Sequence, residues 1–114
     1  MDFKNYVQLI GRLGSDPTVR ETKNGKVVRF SIAVNDSFIE NGQTKSTTEW
    51  HIIVAWNGLA ETIGAKCKKG SEIMVSGKLT SHSYEDKDKV KHYVTEIVAG
   101  DIICYPKTGS QPAA

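Results

Sequence analysis

Apolar and polar side chains alternate in several short segments of this chain, and this period of two constrains the fold more than any other feature. In the clearest segment, Val28, Phe30, Ile32 and Val34 occupy every second position. Because successive side chains of a β-strand point to opposite faces, one face of such a strand is predicted to cover a core. The pattern predicts a mainly β protein.

Turn residues and one short helical segment separate the alternating segments. Gly14–Pro17 interrupts the first strand, and Asn24–Gly25 favours a hairpin between an extended arm at 18–22 and the returning strand. A helix is predicted from Asn57 or Gly58 through Ala65. The five main strands are predicted at residues 7–13, 28–34, 50–56, 72–81 and 92–104.

Five strands with a short helix between the third and the fourth is the layout of the OB-fold, a five-stranded Greek-key barrel that commonly binds oligonucleotides or oligosaccharides. At 114 residues the chain fits one domain. We predict an all-β OB-fold domain over residues 1–104. Residues 105–114, with Pro106, Gly109 and Pro112, are predicted to form a short disordered tail.

A polar segment from Asn35 to Glu49 is longer than a hairpin needs, so it is predicted to be a projecting functional loop. Phe38 lies within it and shares the parity of the inward-facing Phe30 and Ile32. It is expected to reach the outer face only if a bulge or a strand exit follows Val34.

The bulk properties exclude several classes of protein. No apolar run approaches the roughly 18 residues needed to span a bilayer, and the N-terminus lacks the pattern of a signal peptide. We therefore predict a cytoplasmic protein with no membrane partner. The net charge of +2 permits an anionic partner but does not by itself indicate one.

The reactive residue types are too scattered to form a catalytic or metal site. Cys67 and Cys104 lack a Cys-x-x-Cys spacing and are predicted to be reduced, packed thiols. His51, His82 and His92 form no Ser/His/Asp, Cys/His or HExxH arrangement. We expect no enzymatic activity, no metal and no cofactor.

Two tryptophans on one strand are the strongest functional signal. Trp50 and Trp56 share a face and span roughly 20 Å at about 3.3 Å per residue. For a lone strand, burial of both rings in the core would be the favoured interpretation. However, Ile53 and Ala55 on the opposite face can serve the core.

A second strand carries a matching polar face. Tyr84 shares parity with Lys78, Thr80 and His82. Aromatic and basic residues interleaved on a polar face are what a single-stranded nucleic acid needs, because bases stack on rings while cations neutralise phosphates.

From Asn5 to Asp101 the chain resembles the bacterial single-stranded DNA-binding protein family. Each matching motif is short, but all occur in order with compatible spacing. They are GRLGSDPTVR at 11–20, NG at 24–25, TEWH at 48–51, LAE at 59–61, KGS at 69–71, VSGKL at 75–79 and YVTE at 93–96.

This resemblance implies base stacking on four aromatic residues and assembly into a homotetramer around which single-stranded DNA wraps. The four matching positions are Phe38, Trp50, Trp56 and Tyr84, and His51 matches a histidine near a subunit interface. Candidate phosphate contacts are Arg12, Arg20, Arg29, Lys69, Lys78 and Lys87. The expected activity is protection of single-stranded DNA, without strong sequence preference, in replication, recombination and repair.

The chain departs from the family pattern in its charges. Ile52 and Val54 stand where members often place Arg or Lys. The segment before Tyr84, which is often rich in Arg in other members, reads Thr-Ser-His-Ser in this chain. Fewer phosphate contacts imply weaker binding and a shallower salt dependence. Members also typically end in an acidic tip that recruits repair and replication enzymes. This sequence stops at Ala114 without one, which indicates a short paralogue or a removed tail, and leaves such partners unsupported.

Two other functions fit an OB-fold. An assembly module, such as a primosome accessory factor, would account for the reduced basic content but has no need of four spaced aromatic residues. A sugar-binding domain would use aromatic residues, but the series of motifs does not fit one.

Overall fold

The computed structural model describes residues 4–105. Six strands and one helix follow one another along this part of the chain, and the helix lies between the fourth and fifth strands. The elements are β1 (Val7–Leu13), β2 (Val19–Thr22), β3 (Gly25–Glu40), β4 (Gln43–Trp56), α1 (Gly58–Lys66), β5 (Glu72–Glu85) and β6 (Lys91–Tyr105).

Five of these strands close into a ring. The order across the sheet is β1-β5-β6-β4-β3, with β2 beyond β3, and β3 also pairs with β1 where Leu13 lies opposite Ile32. All pairings are antiparallel except β4 with β6, where Ile53 lies opposite Ile97. This connectivity confirms the predicted OB-fold.

The core lies inside the ring, as the alternation predicted. Leu13, Val28, Ile32, Ile53 and Val75 are almost completely buried. Leu79 is an exception: it shares the parity of Val75 but is 46% exposed, since it lies in the part of β5 that runs toward the hairpin turn. Parity therefore predicts burial only where another element covers the strand.

The helix closes one end of the core. Ala60 and Ile63 of α1 are completely buried, and Gly58 begins the helix as predicted. Asn57 precedes it with a φ of 54° and holds it to β3, because its backbone N–H donates to the Lys26 carbonyl at 2.8 Å.

The segment from Asn35 to Glu49 is a β-hairpin, so the predicted loop is wrong. Residues of β3 and β4 pair without interruption from Val27 opposite Trp56 to Glu40 opposite Gln43. At the tip, Asn41 and Gly42 have φ values of 52° and 75°, as a two-residue type I′ turn requires. Alternation failed to reveal these strands because both faces are exposed beyond Val34.

At the other end of the chain, Tyr105 is the last residue of β6 rather than the first residue of a tail. The rest of the predicted tail, residues 106–114, lies outside the described residues.

Candidate nucleic-acid interface

Strand pairing places the predicted aromatic residues of β4 and β5 on one continuous outer face. Trp50 and Trp56 lie opposite Ala33 and Val27 of β3, on the side of β4 that faces away from the buried Ile53. Directly opposed residues of paired strands share a face, so this surface can be followed from strand to strand.

The same face continues through β6 to β5. Val54 of β4 lies beside Val98 of β6, Val98 lies opposite Lys78 of β5, and Tyr84 lies opposite His92. The predicted tryptophans, Tyr84 and Lys78 therefore share the outer surface of β3, β4, β6 and β5, which we call the sheet face.

Both tryptophans are open to solvent. The Trp50 side chain is 60% exposed and that of Trp56 is 37% exposed, whereas Ala55 between them in the sequence is fully buried. Burial of the two rings in the core is thereby excluded. Large exposed aromatic side chains lower solubility unless a partner covers them, so the two exposed rings are candidates for a binding surface.

Tyr84 is held by a histidine that the sequence did not single out for this role. Its ring stacks on the ring of His92, with centroids 5.1 Å apart and planes inclined by 21°. Nε2 of His92 lies 2.8 Å from Oδ2 of Asp86. The sequence signal that could have revealed this contact is the antiparallel pairing across the Asp86–Lys89 turn.

Asp86 organises this turn. Its Oδ1 accepts hydrogen bonds from the backbone N–H groups of Asp88 and Val90, at 2.9 and 3.0 Å. The hydrogen bond with His92 and then the Val90 amide hold the pKa of Asp86 below its ordinary value, because both favour the carboxylate. Asp86 thus fixes the position of His92, and His92 supports one face of the Tyr84 ring.

Phe38 lies apart from the other three aromatic side chains. The uninterrupted register contains no bulge after Val34, so Phe38 keeps the parity of Phe30 and lies opposite Lys45 on the projecting hairpin. Its side chain is 41% exposed, since the hairpin has left the core at that point. Two-stranded ribbons twist more strongly than wide sheets, so the two faces of the hairpin rotate relative to those of the barrel. Inward parity therefore does not point the Phe38 side chain into the core.

The sheet face contains an acidic residue that sequence reasoning missed. Glu96 of β6 accepts a 2.6 Å hydrogen bond from Nε of Arg29, and its other oxygen lies 3.2 Å from Nε2 of His82. The Glu96 side chain is only 11% exposed. Strand parity could have found it, because it lies opposite Thr80, which shares a face with Tyr84.

The Arg29–Glu96 ion pair bridges β3 and β6 across the intervening strand β4. Arg29 lies opposite Val54, so its guanidinium supplies a cation at a level between the two tryptophans. Together with Arg20 they line a cleft of about 460 Å³. A cation from the neighbouring strand β3 thus lies beside Val54, with its charge opposed by Glu96.

The remaining predicted cations are exposed but not clustered. Lys78 is on the sheet face, Lys87 lies in the turn after Tyr84, and Lys69 lies between α1 and β5. Arg12 lies opposite Ala33 at the closure of the barrel, and its guanidinium donates to the Gly70 carbonyl at 3.0 Å. The structure therefore places Arg29 and Lys78 on the sheet face, with Arg20 in the cleft beside Arg29, and leaves Arg12, Lys69 and Lys87 away from it.

His51, which was predicted to lie near a subunit interface, has the parity of the core residues but sits near the end of the barrel. Its side chain is 32% exposed, and its Nε2 lies 3.9 Å from a carboxylate oxygen of Glu49.

Within residues 4–105, no three His, Cys, Asp or Glu side chains are grouped so as to hold a metal ion. In the same part of the chain, no helix has the length and apolar character needed to cross a membrane.

Comparison with known proteins places the chain in a family. The Single-strand binding protein family matches residues 4–105. Single-stranded DNA-binding protein 1 of Xylella fastidiosa (strain 9a5c) is 43% identical over 101 residues, which cover 86% of this chain and 74% of that protein. The protein of the same name from Chlorobaculum tepidum is 44% identical over 101 residues, which cover 86% of this chain but 62% of the relative.

Solved structures agree with this placement. A Plasmodium falciparum SSB in complex with ssDNA superposes with a TM-score of 0.80 at 29% identity, covering 92% of this chain and 97% of that one. A small single-stranded DNA-binding protein from Streptomyces coelicolor, at 20% identity and a TM-score of 0.75, shares the fold over 90% of this chain and 96% of its own. The chain belongs to the single-strand binding protein family.

Proposed function

We propose that this chain binds single-stranded DNA without strong sequence preference, by stacking bases on the sheet face and neutralising the backbone with nearby cations. The observation that carries the proposal is the pair of exposed tryptophans, Trp50 and Trp56, on the face that pairing extends to Tyr84. Every base has a π-face, so stacking at about 1–3 kcal/mol per base tolerates any sequence.

The stacking residues are proposed to act in two groups. Trp50, Trp56 and Tyr84 take bases on the sheet face, while Phe38 takes a base on the hairpin, where its ring is exposed. Phosphates between these positions contact cations on or near the sheet face. The cations proposed for this role are Arg12, Arg20, Arg29, Lys69, Lys78 and Lys87.

Assembly into a homotetramer is proposed on the family relationship and on an exposed apolar row. Ile10 lies opposite Met74, and Met74 lies opposite Ile103, on the outside of β1, β5 and β6. Ile10 and Ile103 are 50% and 48% exposed. A second copy of the chain would cover this row, and His51 is proposed to lie near a subunit interface. Light scattering of the purified protein, which gives the mass of the particle in solution, tests the assembly.

The wider role is proposed to be protection of single strands during replication, recombination and repair in the cytoplasm, without catalysis. Partner proteins that other family members recruit through an acidic tip are not part of this proposal. The relatives are longer than the region that they share with this chain. The match covers 74%, 62% and 58% of the length of three of them.

The test is a fluorescence titration of the full chain with oligo-dT and, separately, with duplex DNA of equal length. The proposal expects tryptophan quenching by the single strand at concentrations where the duplex has little effect. Equal responses would contradict it and indicate general electrostatic attraction. No binding even at low salt would leave the assembly-module interpretation ahead.

A further inference from the structure

The two cysteines of the chain, 37 positions apart in the sequence, meet at the edge of the core. Cys67 follows the last residue of α1, and its backbone N–H donates to the Ile63 carbonyl at 2.9 Å. Cys104 lies in β6 opposite Ile73, which is completely buried. The helix end and the last strand thus direct both thiols into one place.

The two sulfur atoms are 2.7 Å apart, in a hydrogen bond in which the Cys67 thiol donates. A disulfide bond is about 2.0 Å long, so bond formation needs a movement of only about 0.7 Å. Cys67 is 3% exposed, while Cys104 is only partly buried and gives a reagent access to the pair.

We infer that Cys67 and Cys104 form an oxidation site, which closes to an intramolecular disulfide when the protein meets a small disulfide oxidant such as oxidised glutathione. Cytoplasmic glutathione keeps most thiols reduced, so the reduced pair is the resting state and the disulfide forms under oxidative conditions. This inference does not depend on the proposed DNA binding.

The chemistry proceeds by two thiol–disulfide exchanges. The thiolate of Cys104 attacks one sulfur of oxidised glutathione, forming a mixed disulfide and releasing one glutathione. Cys67 loses its proton to solvent and attacks the Cys104 sulfur, releasing the second glutathione. Two cysteine thiols are oxidised and one glutathione disulfide is reduced to two thiols.

Burial dictates the order of these steps. Burial, followed by the hydrogen bond to Cys104, raises the pKa of Cys67 to about 12. Since the thiolate is the nucleophile, the more accessible Cys104 reacts first, and ring closure by Cys67 accelerates as the pH rises.

The disulfide would tie α1 to β6 from the core side. Neither thiol is on the sheet face, because Cys104 lies opposite the inward-facing Ile73. We therefore expect oxidation to stabilise the fold by restricting the unfolded chain, with little effect on a ligand bound outside the barrel.

The experiment exposes the full chain to oxidised glutathione, then unfolds it and alkylates free thiols before intact-mass measurement. We expect a monomer lighter by about 2 Da, the two thiol hydrogens, with no alkylated cysteine. We also expect a melting temperature at least about 5 °C higher than in the reduced form, and reversed by dithiothreitol.

Two variants keep the result interpretable. Cys104→Ser should show neither the mass loss nor the rise in melting temperature, and Cys67→Ala should stop at the glutathione adduct on Cys104. For the unmodified sequence, a persistent glutathione adduct, a disulfide between two chains, or two alkylated cysteines would each overturn the inference.

Discussion

The six-membered ring of Trp50 lies against the backbone of Gly14. A β-carbon built on Gly14 would come within 2.6 Å of Cζ3 and 3.1 Å of Cη2 of that ring. The loop after β1 therefore supports the ring that is proposed to carry a base, and it does so because residue 14 has no side chain.

Substituting Gly14→Ala should displace the Trp50 ring and weaken binding of oligo-dT several-fold, by about 1 kcal/mol of lost stacking. The new methyl group meets the end of a largely exposed side chain, so the melting temperature should change little. Gly58→Ala is the matched control, because nothing lies within 4 Å of a β-carbon there. Equal affinities for the two variants would show that the position of the Trp50 ring does not matter.

Removing the charge of Glu96 should strengthen DNA binding. Glu96→Gln keeps the size of the side chain but frees Arg29, whose guanidinium now faces a carboxylate at 2.6 Å. Without the opposing carboxylate, the proposed contact of Arg29 with a phosphate should strengthen, so the affinity should rise and the slope of log K against log salt should steepen by up to about 0.7.

Glu61→Gln is the control for this substitution, since Glu61 forms a comparable 2.6 Å ion pair with Lys26 outside the sheet face. Titrations at four salt concentrations give both slopes. A Glu96→Gln protein that binds more weakly than the unmodified chain would contradict the proposed role of Arg29.

The pKa of Asp86 should depend on His92. The folded pKa is below the ordinary value of about 3.9, so the contribution of this contact is fully present above that pH and is lost as the pH falls through the folded pKa. NMR titration of the Asp86 carboxyl should show the pKa rising toward its ordinary value in His92→Ala. His82→Ala should leave it unchanged, and a similar rise there would argue against a specific His92 contact.

Phe38 and Ile39 distinguish two ways in which DNA could follow the hairpin. The register places Ile39, which is 77% exposed, on the side of Trp50, and Phe38 on the other side. If stacking governs the contact, Phe38→Ala should weaken oligo-dT binding by about 5-fold or more, while Ile39→Ala changes it less than two-fold. The reverse order would show that the DNA follows the Trp50 side and that Phe38 does not stack.

Sequence reasoning succeeded where one side of a strand is covered. Val28, Phe30 and Ile32 alternate because a core lies on one side, and the exposed tryptophans followed from the burial of Ile53 and Ala55. It failed on the hairpin from Asn35 to Glu49, because a ribbon with two exposed faces needs no alternation.

Contacts between distant strands were the other gap. The Glu96–Arg29 pair joins β6 to β3 across a third strand, and the contact of Trp50 with Gly14 joins β4 to the loop after β1. Local pattern predicts which way a side chain points, but not which side chain from another strand it meets. Such contacts depend on strand order and register, which the alternation alone leaves open.

Stacked rings, rather than charge alone, are proposed to hold the DNA, and titrations of a Trp50→Ala/Trp56→Ala protein at several salt concentrations separate the two contributions. We expect an affinity for oligo-dT lower by at least about 20-fold with an unchanged salt slope, because no phosphate contact is removed. Lys78→Ala, as the counterpart, should reduce the slope by about 0.7 with a smaller loss of affinity. An affinity of the double variant within two-fold of the unmodified chain would show that the two tryptophans do not hold the DNA.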